Sequence, residues 1–162
     1  MSISKIIPID EAYQLVDDLK RQGKRVVFTN GCFDVIHPGH TRLLQAARQL
    51  GDVLIVAINS DASIRGLSKG PERPVFPEME RAEMIAALEG VNYVTIFDSV
   101  SVLPVVERML PNVLVKGATW GPTEIVGHEV VKAHGGQVVS IPVAEGFSTT
   151  SIVQAAIQIF PR

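Results

Sequence analysis

Residues 29–40, with the sequence TNGCFDVIHPGH, hold a concentration of side chains that can do chemistry. His37 and His40 stand three positions apart, and they follow Asp34 and the only cysteine of the chain, Cys32. These residue types suit three kinds of site: a zinc site, a cysteine nucleophile or a cradle for phosphate groups.

The zinc and cysteine alternatives have few supporting residues. A zinc ion would need Cys32 or Asp34 beside the two histidines, but no second cysteine exists and the other histidines lie far along the chain. Cys32 has a histidine near it in sequence, which a catalytic thiol would require. However, a lone cysteine next to an apolar run is more typical of a small buried side chain.

A phosphate cradle accounts for more of the stretch. Gly31 and Gly39 allow a ligand to approach the backbone closely, and a helix predicted to begin near Pro38 offers unpaired N–H groups. The two imidazoles can donate hydrogen bonds to phosphate oxygens. The stretch contains neither a Walker motif nor G-x-G-x-x-G, so neither common nucleotide fingerprint applies.

Short apolar runs alternate with helical patterns along the chain, which is typical of a parallel sheet covered by helices on both faces. We predict strands over 25–30, 53–58, 93–97, 113–115 and 137–141. We predict helices over 11–21, 37–51, 78–88, 99–110, 127–136 and 149–159, with Asp10 capping the first and a loop over 59–77. The pattern indicates one doubly wound α/β domain over 1–162, in which 1–23 form an N-terminal helical extension.

In such a domain, ligands bind outside the carboxyl ends of the strands, where the strand order reverses. Polar residues follow four of the predicted strands: residues 29–40, then 59–61, then Lys116 and Gly117, and finally 145–150. We therefore expect these segments to meet on one rim of the sheet.

Composition limits the classes of partner. The formal net charge of -2 gives no general attraction to nucleic acid or anionic membranes. The longest apolar runs, such as 53–58, are far shorter than the roughly 20 residues that span a bilayer. The amino terminus lacks the pattern of a secretory signal, and one cysteine cannot form an intrachain disulfide, so we expect a cytoplasmic location.

The H-x-G-H of residues 37–40 and four later segments resemble the nucleotidyltransferase superfamily that includes the cytidylyltransferases and pantetheine-phosphate adenylyltransferase. These segments are SKGPERPVFPEMERAEMIAAL, VLVKGATW, EIVGHEVV and EGFSTTSI. Their order and spacing are similar to those of the adenylyltransferase domain of ADP-heptose synthase, over about residues 23–157. The resemblance implies a Rossmann-like sheet with a nucleotide over its carboxyl rim.

The resemblance also implies a reaction. D-glycero-β-D-manno-heptose 1-phosphate would attack the α-phosphorus of ATP and give ADP-heptose and pyrophosphate, with Mg²⁺ held mainly by the triphosphate and no metal site of the protein's own. Relatives often carry a sugar kinase domain in the same chain, so we expect the standalone adenylyltransferase form. Similar enzymes are commonly dimers or larger, which implies a homo-oligomer. A monomeric mass in solution scattering would contradict that expectation.

By resemblance, four side chains carry the catalysis. His37 and His40 donate to the triphosphate, Arg81 approaches it, and Lys116 contacts phosphate or substrate. The alternative for Lys116 is a solvated lysine at the end of a strand, and the alternative for Arg81 is a surface arginine paired with Glu78.

The resemblance implies two binding sets. The nucleotide-binding set is Thr29, Asn30, Gly31, Cys32, Phe33, Gly39, His40, Lys116, Gly117, Glu124, Ser148, Thr149 and Thr150. The substrate-binding set is Asp34, Asn59, Asp61, Lys69, Arg73 and Trp120.

Several members of these sets have simpler alternatives. The hydroxyls of 148–150 also suit a helix N-cap, and Phe33 and Trp120 suit the core. Asp34 and Asp61 could each orient a sugar hydroxyl, a metal-bound water or a loop backbone. Lys69 and Arg73 lie in a long loop that either closes over the phosphates or is solvated.

The chain departs from the relatives at two places. Thr119 stands where the heptose branch usually has an acidic residue, and Val143 and Ala144 precede EGFSTT where the cytidylyltransferases have an arginine. The second departure favours the adenylyl branch. A CTP-dependent enzyme acting on glycerol 3-phosphate or another small phosphorylated acceptor, and a regulatory module that binds nucleotide without turnover, stay open. Pyrophosphate release separates the enzymes from the module.

Overall fold

The computed structural model describes residues 2–67, 70, 72–117, 121–142 and 147–159. The strands are β1 (Val26–Gly31), β2 (Val53–Asn59), β3 (Tyr93–Phe97), β4 (Val113–Gly117) and β5 (Gln137–Ile141). The helices are α1 (Ile9–Arg21), α2 (Pro38–Arg48), α3 (Asp61–Gly66), α4 (Glu78–Ala86), α5 (Leu103–Met109), α6 (His128–Ala133) and α7 (Thr149–Ile159). None of the helices in these described ranges is long and apolar enough to cross a membrane.

The five strands form one parallel sheet in the order β3-β2-β1-β4-β5. The prediction of a doubly wound, Rossmann-like α/β fold is confirmed. The order reverses between β1 and β4, so the segments that follow these two strands meet at the switch point, where ligands bind in this architecture.

Successive residues of the strands point to opposite faces of the sheet and pack in two hydrophobic cores, one on each face. Phe28 and Leu114 pack with α1, α5 and α6 on one face, whereas Val27 and Val115 pack with α2 and α4 on the other. Because both faces are covered, the strands read as continuous apolar runs rather than alternating ones. Helix α7 has no buried residue among those described.

The N-terminal segment is built into the first of these cores. Ala12 and Val16 of α1 are fully buried there, and Ile6 makes an isolated parallel bridge to Val94 at the edge of the sheet. Helix α1 begins at Ile9 with Pro8 before it, so the prediction of Asp10 as the N-cap is wrong: Asp10 lies in the first turn.

The sequence patterns missed helix α3, which lies inside the segment predicted as a loop. Ser60 caps this helix, since its hydroxyl accepts a hydrogen bond from the Ser63 N–H at 3.0 Å. A six-residue helix is too short to show an amphipathic period, so only its cap was visible in the sequence. Strand β4 also runs two residues further than predicted and includes Lys116.

Candidate active site

The carboxyl ends of β1 and β4 are tied together at the switch point. The Lys116 ammonium donates to the backbone carbonyl of Asn30 at 2.7 Å and to its side-chain Oδ1 at 2.9 Å. The alternative of a freely solvated lysine is wrong, because this side chain is half-buried between two strands. The pair forms a bridge with a cavity on each side, and Asn30, Gly31, Cys32 and Lys116 line both cavities.

The first cavity, which we call the histidine cleft, has a volume of about 600 Å³. Beyond the shared wall, its described lining consists of Phe33, His37, Gly39, His40, Leu43, Arg73, Gly117, Phe147, Ser148, Thr149 and Thr150. Helices α2 and α7 both begin at this cleft, and Lys116 adds positive charge, whereas the charge of Arg73 is paired with Asp34. The two helix N-termini and the Lys116 ammonium favour an anion in this cleft.

The second cavity, which we call the Glu124 cleft, has a volume of about 440 Å³. Its own described lining is Asn59, Leu67, Val100, Ser101, Val102, Glu124, Ile125 and Val126. This wall is largely apolar, with a few polar groups that can orient a ligand. Sequence reasoning missed the contribution of 100–102, although the strand-end rule, if applied to β3 as well, would have pointed to it.

Two stacked imidazoles form the floor of the histidine cleft. The rings of His37 and His40 lie 3.8 Å apart between centroids with an angle of 24° between their planes, and the Phe33 ring lies 5.1 Å from His40. His37 is the N-cap of α2, and its extended backbone places both rings on the first turn. Both Nδ1 atoms are buried without a hydrogen-bond partner among the described residues, which leaves two polar atoms of this pair unsatisfied.

Burial keeps both imidazoles neutral near pH 7. It lowers the pKa of His37, and it lowers the pKa of His40 to about 4, with a further contribution from repulsion by His37. A hydrogen bond to the backbone of Val35 partly opposes this shift. The folded state therefore disfavours the protonated rings, and stability that is present above pH 6.5 falls as the pH approaches 4.

This shift predicts that protons are taken up when an anion such as inorganic triphosphate binds in the histidine cleft. The triphosphate would favour the imidazolium form and raise the pKa of His37 and His40, most visibly near pH 6. Calorimetric titration in two buffers of different ionisation enthalpy measures the uptake. We expect a positive uptake that is smaller in His40→Gln, and identical heats of binding in both buffers would contradict the prediction.

Gly31 and Phe33 shape the shared wall. A Cβ at Gly31 would lie 3.0 Å from the Phe33 ring, and Phe33 itself has a left-handed backbone with φ of 48°. The close approach predicted for Gly31 is thus made by a protein ring. Because Phe33 is buried and packs in the core with α2 and α4, the core alternative for this residue is supported.

The carboxylate of Asp34 holds the 73–76 loop. It is buried, forms an ion pair with Arg73, and accepts hydrogen bonds from the N–H groups of Val75 at 2.8 Å and Phe76 at 3.0 Å. The prediction that Asp34 binds substrate is therefore corrected, and its loop-backbone alternative is confirmed. The ion pair holds Arg73 at the wall of the histidine cleft.

Arg81 is fully buried, so the surface alternative for it is wrong. Its guanidinium donates to the carbonyls of Phe76 at 2.9 Å and of Cys32 and Asn59 at 2.8 Å each, and it pairs with Asp61 at 2.7 Å. These bonds use four of its five N–H groups, and neither cleft includes it. The predicted contact with triphosphate is corrected to a positioning role.

Four further residues that were predicted to bind nucleotide or substrate do not line either cleft or lie outside the described residues. Thr29 is fully buried and lines neither cleft, which corrects its assignment to the nucleotide, and Asp61 is likewise paired with Arg81 rather than lining a cleft. Lys69 and Trp120 lie outside the described residues.

The hydroxyl residues at the start of α7 include the cap of this helix, and they lie at the histidine cleft. Ser148 accepts a hydrogen bond from the Ser151 N–H at 3.0 Å, which caps the helix. Ser148, Thr149 and Thr150 also line the histidine cleft. Glu124 lies in the other cleft, where it accepts a hydrogen bond from the Gly121 N–H at 2.7 Å.

The described residues do not favour the other two chemistries. No three His, Cys, Asp or Glu side chains within the described ranges converge as metal ligands. The Cys32 sulfur is buried and lies 3.7 Å from Asn59 Oδ1, which is typical of a small structural side chain. The arrangement is instead that of an anion site beside a second ligand site, on a Rossmann-like sheet.

Comparison with known proteins identifies the class of this protein as a nucleotidyltransferase enzyme. A family model described as "Cytidylyltransferase-like" matches residues 28–155, and the chain belongs to this family. Among curated proteins, it is 48% identical over 149 residues to the "Bifunctional protein HldE" of Gluconobacter oxydans, covering 92% of this chain and 31% of that protein. It is 53% identical over 137 residues to the protein of the same name in Rhodopseudomonas palustris, covering 85% of this chain and 28% of that protein. The chain thus spans about a third of the length of these relatives.

Two solved structures share the fold. A lipopolysaccharide core biosynthesis protein from Thermoplasma volcanium aligns with a TM-score of 0.60 and 24% identity, over 75% of this chain and 98% of that one. A pantoate-beta-alanine ligase from Francisella tularensis, complexed with beta-gamma ATP and beta-alanine, aligns with a TM-score of 0.60 and 16% identity. That alignment covers 93% of this chain and 76% of that one.

Proposed function

We propose that this chain transfers AMP from ATP to D-glycero-β-D-manno-heptose 1-phosphate, giving ADP-heptose and pyrophosphate. The observation that carries the proposal is the pair of clefts that share the wall around Lys116 and Asn30. Two ligands bound on either side of this wall would meet at the lysine. The identity to HldE proteins, and the match of its motifs to the heptose branch, support the choice of substrates.

We assign the triphosphate to the histidine cleft, because its charge and its two helix N-termini suit an anion. The sugar phosphate would approach from the Glu124 cleft, with its phosphate near Lys116. No described residue lining the histidine cleft offers a carboxylate to Mg²⁺, so the ion would be held by the triphosphate of MgATP. The ion would neutralise part of the charge on the phosphates.

In the proposed step, an oxygen of the sugar phosphate attacks the α-phosphorus of ATP in line with the departing pyrophosphate. One P–O bond forms and the bond to the β-phosphate breaks, so no covalent enzyme intermediate is needed. The nucleophile is already an anion and requires no strong base. The obstacle is repulsion between anions, which Lys116 and the hydrogen-bond donors of the histidine cleft reduce.

Pyrophosphate release in the presence of Mg²⁺ tests the proposal. ATP and CTP would each be paired with β- and α-heptose 1-phosphate and with glycerol 3-phosphate. We expect turnover only with ATP and a heptose 1-phosphate. Turnover with CTP would assign the chain to the cytidylyltransferase branch, and the absence of pyrophosphate release with every acceptor would favour a nucleotide-binding module. A homo-oligomeric state and a cytoplasmic location stay predictions.

A further inference from the structure

We propose that Ser63 is a positioning residue that fixes the Asn59 amide, so that the amide oxygen faces the Glu124 cleft as an acceptor for a substrate hydroxyl. The identity of the ligand rests on the function proposed above. The orientation of the amide rests only on the hydrogen bonds around it.

The direction of each hydrogen bond follows from what each atom can donate. The Ser63 hydroxyl lies 2.8 Å from the backbone carbonyl oxygen of Ser99, which can only accept, so the single hydroxyl hydrogen points there. The atom of Asn59 that lies 2.8 Å from the same hydroxyl must then donate, and it is the amide Nδ2. The Asn59 Oδ1 therefore points away from Ser63.

The amide oxygen is buried and has spare capacity to accept. Asn59 is only 4% exposed, and its Oδ1 lies 3.7 Å from the Cys32 sulfur, which is a weak donor. Both residues line the Glu124 cleft. A carbonyl oxygen has two acceptor sites, and a thiol satisfies at most one of them, so Oδ1 can accept from a ligand in the cleft.

The surrounding backbone prevents the amide from adapting. Asn59 ends β2 in register with Phe97 of β3, and its carbonyl accepts from Arg81 at 2.8 Å. Ser63 is buried on the first turn of α3. Rotation of the Asn59 amide would bring its oxygen towards the Ser63 oxygen and lose the bond.

A fixed neutral acceptor distinguishes the two ends of a sugar phosphate. Hydroxyl groups donate to Oδ1, whereas unprotonated phosphate oxygens only accept and are repelled by it. The Lys116 ammonium, on the shared wall, attracts the phosphate instead. The polyol end of the acceptor would thus lie at Asn59, and its phosphate would lie at the lysine, next to the triphosphate.

Steady-state kinetics on Ser63→Ala, Ser63→Thr and Ser60→Ala test the inference. Loss of one oriented hydrogen bond predicts a three- to tenfold rise in KM for the sugar phosphate in Ser63→Ala, with KM for MgATP changed by less than twofold. Ser63→Thr retains the hydroxyl and should restore most of the KM. Ser60→Ala removes the cap of α3 but leaves the Asn59 bond, so it controls for loosening of the helix.

Monodeoxy analogues of the sugar phosphate give an independent readout. The wild-type protein should discriminate against the analogue that lacks the hydroxyl facing Asn59, and Ser63→Ala should discriminate against it several-fold less. An active wild type with no such difference, or a Ser63→Ala variant whose KM values match those of Ser60→Ala, would overturn the inference alone. A wild type that is silent with every sugar phosphate would overturn the proposed function and this inference with it.

Discussion

Replacement of His40 by alanine is expected to lower kcat for pyrophosphate release by about 10² to 10³-fold, the usual cost of losing one oriented donor to a charge that develops in the transition state. The imidazole stacks on His37 at 3.8 Å and lies on the first turn of α2, so its position is fixed before any ligand binds. Because donation to the departing pyrophosphate matters most as charge builds up there, KM for MgATP should change less than kcat.

The matched control for this variant is His134→Ala, which removes an imidazole from an exposed position at the end of α6. We expect wild-type kcat for the control and unchanged circular dichroism for both variants. Stopped-flow measurement of pyrophosphate release under single-turnover conditions isolates the chemical step. A His40→Ala variant within threefold of wild type in that step would refute a direct role for the imidazole.

Most of the fold could be predicted because it depends on local patterns. The runs that became β3 and β5 were predicted with their observed bounds, since each is a short apolar stretch between helical segments. Helix α5 begins four residues later than predicted, at Leu103, so that Pro104 lies in its first turn, where a proline is tolerated. Helix α3 was missed because six residues carry too little periodicity to outweigh a polar composition.

The site was predictable only where its residues are close in sequence or follow strand ends. His37, His40 and the hydroxyls of 148–150 met at one cleft as the topology required. The partners of buried charges were not predictable: Asp34 pairs with Arg73, 39 residues away, and nothing local distinguishes such a carboxylate from a ligand. The hydrogen bond between Asn59 and Ser63 is local in sequence, but its direction is set by the distant Ser99 carbonyl, which accepts from the Ser63 hydroxyl.

Arg81 is the clearest case of a buried charge whose partners could not be predicted from the sequence. Its replacement is also expected to have a large effect on stability. Its guanidinium joins the end of β1 through the Cys32 carbonyl, the end of β2 through the Asn59 carbonyl, and the 73–76 loop through the Phe76 carbonyl. Replacement by methionine would fill similar volume but leave these buried acceptors and Asp61 unpaired. We expect a loss of about 3–5 kcal/mol in the free energy of unfolding, because three backbone acceptors and the partly exposed Asp61 lose their donor at once.

For a domain of this size, that loss corresponds to a fall in Tm of roughly 10 to 15 °C. Thermal unfolding followed by circular dichroism measures it, with Arg65→Met as the matched control, because Arg65 is an exposed helical arginine. If Arg81→Met does not fold, Arg81→Lys keeps the charge but cannot reach four acceptors at once, and its Tm should also fall. A Tm for either Arg81 variant equal to that of Arg65→Met would mean that the rim of the two clefts is held without this arginine. If Arg81→Lys then loses activity while its Tm is unchanged, the result would support a direct contact between Arg81 and the triphosphate instead of a positioning role.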